Sequence, residues 1–112
     1  CQTCHRWSED EIKGWVEIIQ DRTAKLMKEA EIAMLDAIDA IKESETKGAS
    51  EEELKEARAL HRHSHIRWDF ISAENSMGFH SPQESVRILG ESIDFARQSQ
   101  VAAIKAKKTD NN

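Results

Sequence analysis

Ser8-Glu9-Asp10-Glu11 opens a stretch that meets no helix breaker until Thr46-Lys47-Gly48, long enough for one helix to set the architecture of the chain. Serine followed three residues later by glutamate is a capping box. The serine oxygen accepts from the third backbone N–H, and the glutamate reaches back to the serine N–H. Glu9, Asp10 and Glu11 also face the positive end of the helix dipole. Gly48 supplies the left-handed residue on which helices commonly stop, and Gly14 is the only weak point between. Ile12, Val16, Ile19, Leu26, Ala30, Ala33, Ala37 and Ile41 recur at helical spacing. A second stripe, Trp15, Ile18, Ile32, Leu35 and Ile38, lies beside the first. About forty residues at 1.5 Å rise make a rod of about 60 Å, too long for so small a chain to cover. The surplus stripe predicts a partner, and a symmetric homodimer through Ile18, Ile32, Leu35 or their neighbours is the economical one.

Two shorter helices follow. Ser50-Glu51-Glu52-Glu53 repeats the capping box, and Leu54, Ala57, Leu60, His61, Ser64, Trp68 and Ile71 trace one face, with Met77-Gly78 as the stop. Ser81-Pro82-Gln83-Glu84 starts the third: serine cap, proline at the first helical position, glutamate at the third. Val86, Leu89, Ile93, Ala96 and Ile104 are its expected buried face, and Lys105, Lys107 and Lys108 its last turn. Helices are expected near 8–47, 51–76 and 82–107. The fold class is all-α, a three-helix antiparallel arrangement with one very long first helix; the short Gly48-Ala49-Ser50 link turns the second back on the first. Residues 8–108 form one helical domain, and 109–112 a frayed tail.

Composition agrees. Of 112 residues 33% are charged and 5% aromatic, with one proline and four glycines, a profile of solvated helices rather than a β sandwich. The net charge of −5 offers no basic stripe for nucleic acid. No apolar run approaches the length of a membrane span.

In front of the rod stands Cys1-Gln2-Thr3-Cys4-His5. C-x-x-C-H is the attachment signature of a c-type haem: two thiols form thioethers with the haem vinyl groups, and the adjacent imidazole ligates iron. A redox disulfide, half a zinc site and coincidence are the other readings. Zinc wants a second ligand pair, and the chain has no other cysteine. A thioredoxin-like motif expects a βαβ setting. Residues 1–7 are read as the end of an upstream haem-binding region, because covalent attachment takes place after export and no export signal precedes the motif.

His80 occupies the short link Gly78-Phe79-His80-Ser81, held by a glycine stop and a Ser-Pro cap. It reads either as a loop histidine or as a second axial ligand. His61 and His65 are i, i+4 neighbours. The acid of H-E-x-x-H is absent, and His63 points away, so a solvated or interface-facing cluster is the preferred reading over a metal site. Trp68 reads as core, and Met77 as a packing residue rather than an iron ligand.

Taken together, the opening C-x-x-C-H, the long helix, Arg67-Trp68-Asp69-Phe70, Glu74-Asn75, Gly78-Phe79-His80-Ser81-Pro82-Gln83-Glu84 and Leu89-Gly90 resemble the C-terminal region of ammonia-forming cytochrome c nitrite reductase, a pentahaem family. The resemblance covers almost the whole chain, and Trp68 to Gly90 is its specific part. It implies that Cys1, Cys4 and His5 hold the fifth haem, with His5 as proximal ligand. It implies that His80 is the distal ligand of the fourth haem, whose attachment motif lies elsewhere, and that long helices build a homodimer.

The family reduces nitrite at a haem held by C-x-x-C-K, near a calcium ion and beside an arginine, a tyrosine and a histidine. This chain has no C-x-x-C-K and no tyrosine, so no catalytic residue can be assigned in it and calcium ligands are expected outside it. The implied function is electron transfer and dimerisation within a periplasmic enzyme that passes six electrons to nitrite. Its electrons would come from a donor cytochrome or quinol dehydrogenase. The rival readings are the helical tail of another multihaem cytochrome and an oligomerisation bundle whose haem motif is unfilled.

Overall fold

The computed structural model describes residues 2–106; Cys1, Lys107, Lys108 and the expected tail at 109–112 lie outside them. It contains α1 (Glu9–Thr46), α2 (Glu51–Ala73) and α3 (Pro82–Ala106), with no strand among the described residues. Both capping boxes form. Ser8 Oγ accepts from Glu11 N–H at 3.3 Å while Glu11 Oε2 accepts from Ser8 N–H at 2.9 Å. Ser50 and Glu53 repeat the exchange at 3.3 and 2.7 Å. At the other end of α1, Gly48 adopts φ 96°. Its N–H donates to Glu45 O, and Ala49 N–H donates to Ser44 O, which is a Schellman stop.

The chain turns back there, so α2 runs antiparallel to α1. α3 then returns alongside α1 in the same sense and packs along both other helices, while α1 and α2 meet over less of their length. The result is a rod of 70 × 16 × 16 Å. Apolar side chains fill it in three patches. Ile41, Leu54, Ala57 and Ala103 lie at the Gly48 end, Ala33, Met34 and Ala96 in the middle, and Met27, Ile71 and Leu89 toward the start of α3. Trp68 bridges the last two and its indole N–H donates to Met27 O at 3.2 Å, so its expected core role holds.

Between those patches the helices touch through small polar residues. Ser64 and Ser92 each donate a hydroxyl to the other's carbonyl, at 2.7 and 2.9 Å. Ser44 donates to Ala103 O and Ser99 to Ala57 O, both at 2.7 Å. Alanine and serine let the backbones approach, and every such hydroxyl is satisfied by a carbonyl on the neighbouring helix.

The expected face of α3 is therefore shifted. Leu89 and Ala96 are buried and Ile93 half-buried, but Val86 and Ile104 are exposed. Their places inward are taken by Ser85, Ser92, Ser99, Ala103 and Ala106. On α1, Ala30, Ala33, Ala37 and Ile41 are buried, whereas Ile12, Val16, Ile19 and Leu26 are half-buried. Trp15, Ile18, Ile32, Leu35 and Ile38 are all exposed, as the two-stripe pattern requires. α2 ends at Ala73 rather than 76, because Glu74 leaves the helix for an extended conformation and starts a turn of its own.

Candidate functional site

Toward the N-terminal end of α1, Cys4 and His5 precede the helix, and His80 stands in the turn docked on its first half. Residues 2–4 form a turn, and residues 5–7 lead from it to the Ser8 cap. Cys4 is an exposed free thiol and His5 an exposed imidazole. The His5 ring lies 5.9 Å from Trp7, and Trp7 meets Trp15 edge-on at 4.8 Å. These two half-exposed indoles, one before α1 and one on its second turn, make an apolar wall beside the histidine. Trp15 belongs to the surplus stripe of α1, and no periodicity singles out Trp7. Cys1 lies outside the described residues.

His80 stands in the turn between α2 and α3. Gln20 Nε2 donates to Ser76 O at 3.1 Å, which ties that turn to α1 about 18 Å along the axis from Ser8. Met77 (φ 53°) and Gly78 (φ 82°) are both left-handed, and the His80 N–H donates to Ser76 Oγ at 3.0 Å. The backbone of His80 is thus anchored while its ring projects, with a side chain 71% exposed. Its Nδ1 stands 3.5 Å from Glu74 Oε1. The Ser76 hydroxyl above all, with the Ser76 and Gly78 N–H groups, holds the Glu74 carboxyl below the usual carboxylate range. Nothing in the sequence periodicity singles out Glu74 as the neighbour of His80, because the two meet across an irregular turn.

The other three histidines lie away from this end. His61 and His65 line a groove between α1 and α2 with Met34, Leu35 and Ile38. Their rings are 6.1 Å apart, and burial, reinforced by His65, pushes the His61 imidazole below its usual value. His63 faces the other way and packs on Phe95 at 5.4 Å. Among the described residues no group of three or more His, Cys, Asp or Glu side chains could hold a metal ion.

An exposed thiol and imidazole beside an aromatic wall, at the foot of a rigidly capped helix, fit covalent attachment of a planar, largely apolar macrocycle. A C-x-x-C-H motif in that setting is the mark of a c-type cytochrome, whose cofactor is haem c and whose chemistry is electron transfer. The chain belongs to the cytochrome c552 family, whose model matches residues 1–111. It is 36% identical over 105 residues to cytochrome c-552 of Parabacteroides distasonis and 37% identical over 105 residues to that of Bacteroides thetaiotaomicron; each match covers 94% of this chain and 21% of the relative. Cytochrome c-552 of Aliarcobacter butzleri is 35% identical over 109 residues, with the same coverage. The chain thus spans about a fifth of the length of the curated relatives it matches. No helix among the described residues is long and apolar enough to cross a membrane.

Proposed function

We propose that this chain is the C-terminal electron-transfer and dimerisation segment of an ammonia-forming nitrite reductase, exported to the periplasm. The observation that carries the reading is the Cys1-Gln2-Thr3-Cys4-His5 motif set directly before α1 in a chain of the cytochrome c552 family. A haem c bound there supplies a one-electron iron couple. Cys1 and Cys4 hold it, His5 ligates its iron, and Trp7 with Trp15 lines one edge of its site. His80 ligates the iron of a second haem attached elsewhere in the polypeptide. Two imidazoles per iron leave no open coordination position, which suits electron passage and not substrate binding.

Nitrite reduction, which takes six electrons and eight protons to give ammonium and two waters, belongs to a haem outside this chain. So do the calcium ligands and the contact with the donor cytochrome or quinol dehydrogenase. The exposed stripe Ile18, Ile32, Leu35 and Ile38 is the surface for a second copy. The test is the full-length polypeptide, matured in a host that attaches haem, reduced with a viologen and given nitrite under anaerobic conditions. Ammonium at six electrons per nitrite, together with a C-x-x-C-K motif upstream, is expected. A product other than ammonium, or the absence of that motif, overturns the assignment and leaves a different multihaem cytochrome.

A further inference from the structure

Glu74 is committed to one orientation by three hydrogen bonds from its own turn. Its Oε2 accepts from the Ser76 hydroxyl at 2.5 Å and from the Gly78 N–H at 3.3 Å. Its Oε1 accepts from the Ser76 N–H at 2.9 Å. A carboxylate oxygen carries two lone pairs, so Oε1 keeps one to offer, and His80 Nδ1 stands 3.5 Å from it. The same turn fixes the histidine: Ser76 Oγ accepts from the His80 N–H at 3.0 Å. Carboxylate and imidazole therefore hang from one frame, and Gln20 docks that frame onto α1.

An imidazole has one proton and two nitrogens when neutral. Donating Nδ1–H to a carboxylate leaves the Nε2 lone pair free, and the partial negative charge passed to the ring strengthens it as a metal ligand. We propose that Glu74 is the positioning residue for His80, accepting its Nδ1 proton so that Nε2 faces an iron as a preformed and strengthened donor. This rests on the reading of His80 as a haem ligand. The stronger donor stabilises the ferric state, so Glu74 holds the potential of that haem down.

Nitrogen-15 NMR of this chain at neutral to mildly alkaline pH tests the tautomer directly. A majority of Nδ1–H at His80 is expected, falling in Glu74→Gln, with helix content and melting temperature as controls for the turn. A majority of Nε2–H in the unsubstituted chain overturns the proposal, whether or not the variant folds. In the haem-loaded full-length protein, His80→Gly comes first. If every bis-imidazole haem keeps its low-spin spectrum, His80 is no ligand and the functional reading of it fails. If one haem changes spin state, Glu74→Gln must raise the midpoint potential of that same haem. An unchanged potential there overturns the role of Glu74 while leaving His80 as the ligand.

Discussion

Gly78 lies so close over Thr23 that a Cβ on the glycine would stand 2.2 Å from Thr23 Oγ1. The contact joins the α2–α3 turn to the fourth turn of α1, and Gly78 also adopts φ 82°, a backbone that side chains resist. Gly78→Ala should therefore cost about 2 kcal/mol or more, from backbone strain together with the clash. Adding Thr23→Ala removes the clash but leaves the left-handed backbone, so the double variant should recover only part of the loss. Urea unfolding of the four proteins in the cycle checks this, and full additivity would show that the two residues do not touch.

The Ser64–Ser92 exchange makes a second prediction. Ser64→Ala removes one hydroxyl donor and leaves the Ser92 hydroxyl bonded to the Ser64 carbonyl, a loss of about 1 kcal/mol. Ser64→Leu adds bulk where Ser64 is fully buried, and should cost about 1 to 3 kcal/mol more by forcing α2 and α3 apart. Thermal melts of the two variants should rank in that order; a leucine variant as stable as the alanine one would mean the helices are not closely apposed.

Those serines explain where sequence reading stopped. The three helices were legible from their punctuation, because capping boxes at Ser8 and Ser50 and the glycine at Gly48 act locally. The faces of α1 were legible too, since Ile32, Leu35 and Ile38 stay outside a stripe of alanines. The face of α3 was not. Apolarity ranks Val86 and Ile104 above serine, yet close helix approach selects small side chains whose hydroxyls find carbonyls across the interface. Of the candidate site, the C-x-x-C-H motif and His80 could be read directly. Glu74 could not, because its approach to His80 depends on two successive left-handed residues, Met77 and Gly78.

Acid should loosen the helix starts first. Serine hydrogen bonds, chiefly from the backbone N–H, hold the Glu11 and Glu53 carboxyls below the ordinary carboxylate range. A carboxyl lowered on folding adds stability above its unfolded value, and that stability is lost as pH falls through the lowered folded value. Stability should thus decline as pH drops below the ordinary carboxylate range. Ser50→Ala, at a cost of about 1 kcal/mol near neutrality, should shallow that decline. Melting temperatures at stepped pH check both, and an equally steep acid limb in Ser50→Ala would deny the box its role.

A separate step should come from His61. Burial in the α1–α2 groove, and then repulsion from His65, lower its imidazole value, and its Nε2 is buried without a hydrogen-bond partner. A histidine kept neutral on folding contributes stability above its unfolded value, lost as pH falls through the lower folded one. Lys42, Arg58, Arg62, Glu31 and Glu45 line the same groove; Arg58 is paired with Glu45, and Glu31 with Lys28. Acidification below the ordinary imidazole range should therefore destabilise the protein, and His61→Gln should remove that part of the pH dependence while His63→Gln leaves it. Parallel pH titrations of the melting temperature decide it, with equal effects from the two substitutions counting against the groove.

The exposed stripe on α1 makes the most consequential prediction for assembly. Leu35 is 59% exposed and Ile38 43%, with Ile32 about one turn before Leu35, so glutamate at Leu35 should leave the folded chain intact. If a second copy covers the stripe about a two-fold axis, each substitution is felt in both copies. Burying one leucine is worth about 1.5 to 3 kcal/mol, so losing two should weaken association by about two to four orders of magnitude. Phe70 is equally exposed but lies on α2, outside the stripe, and Phe70→Glu is the matched control. Sedimentation equilibrium across a concentration series should show a dimer for the unsubstituted protein and the control, and a monomer for Leu35→Glu. Dimers in all three would place the contact elsewhere on the rod, whereas a dimer lost only in Phe70→Glu would assign it to the outer face of α2.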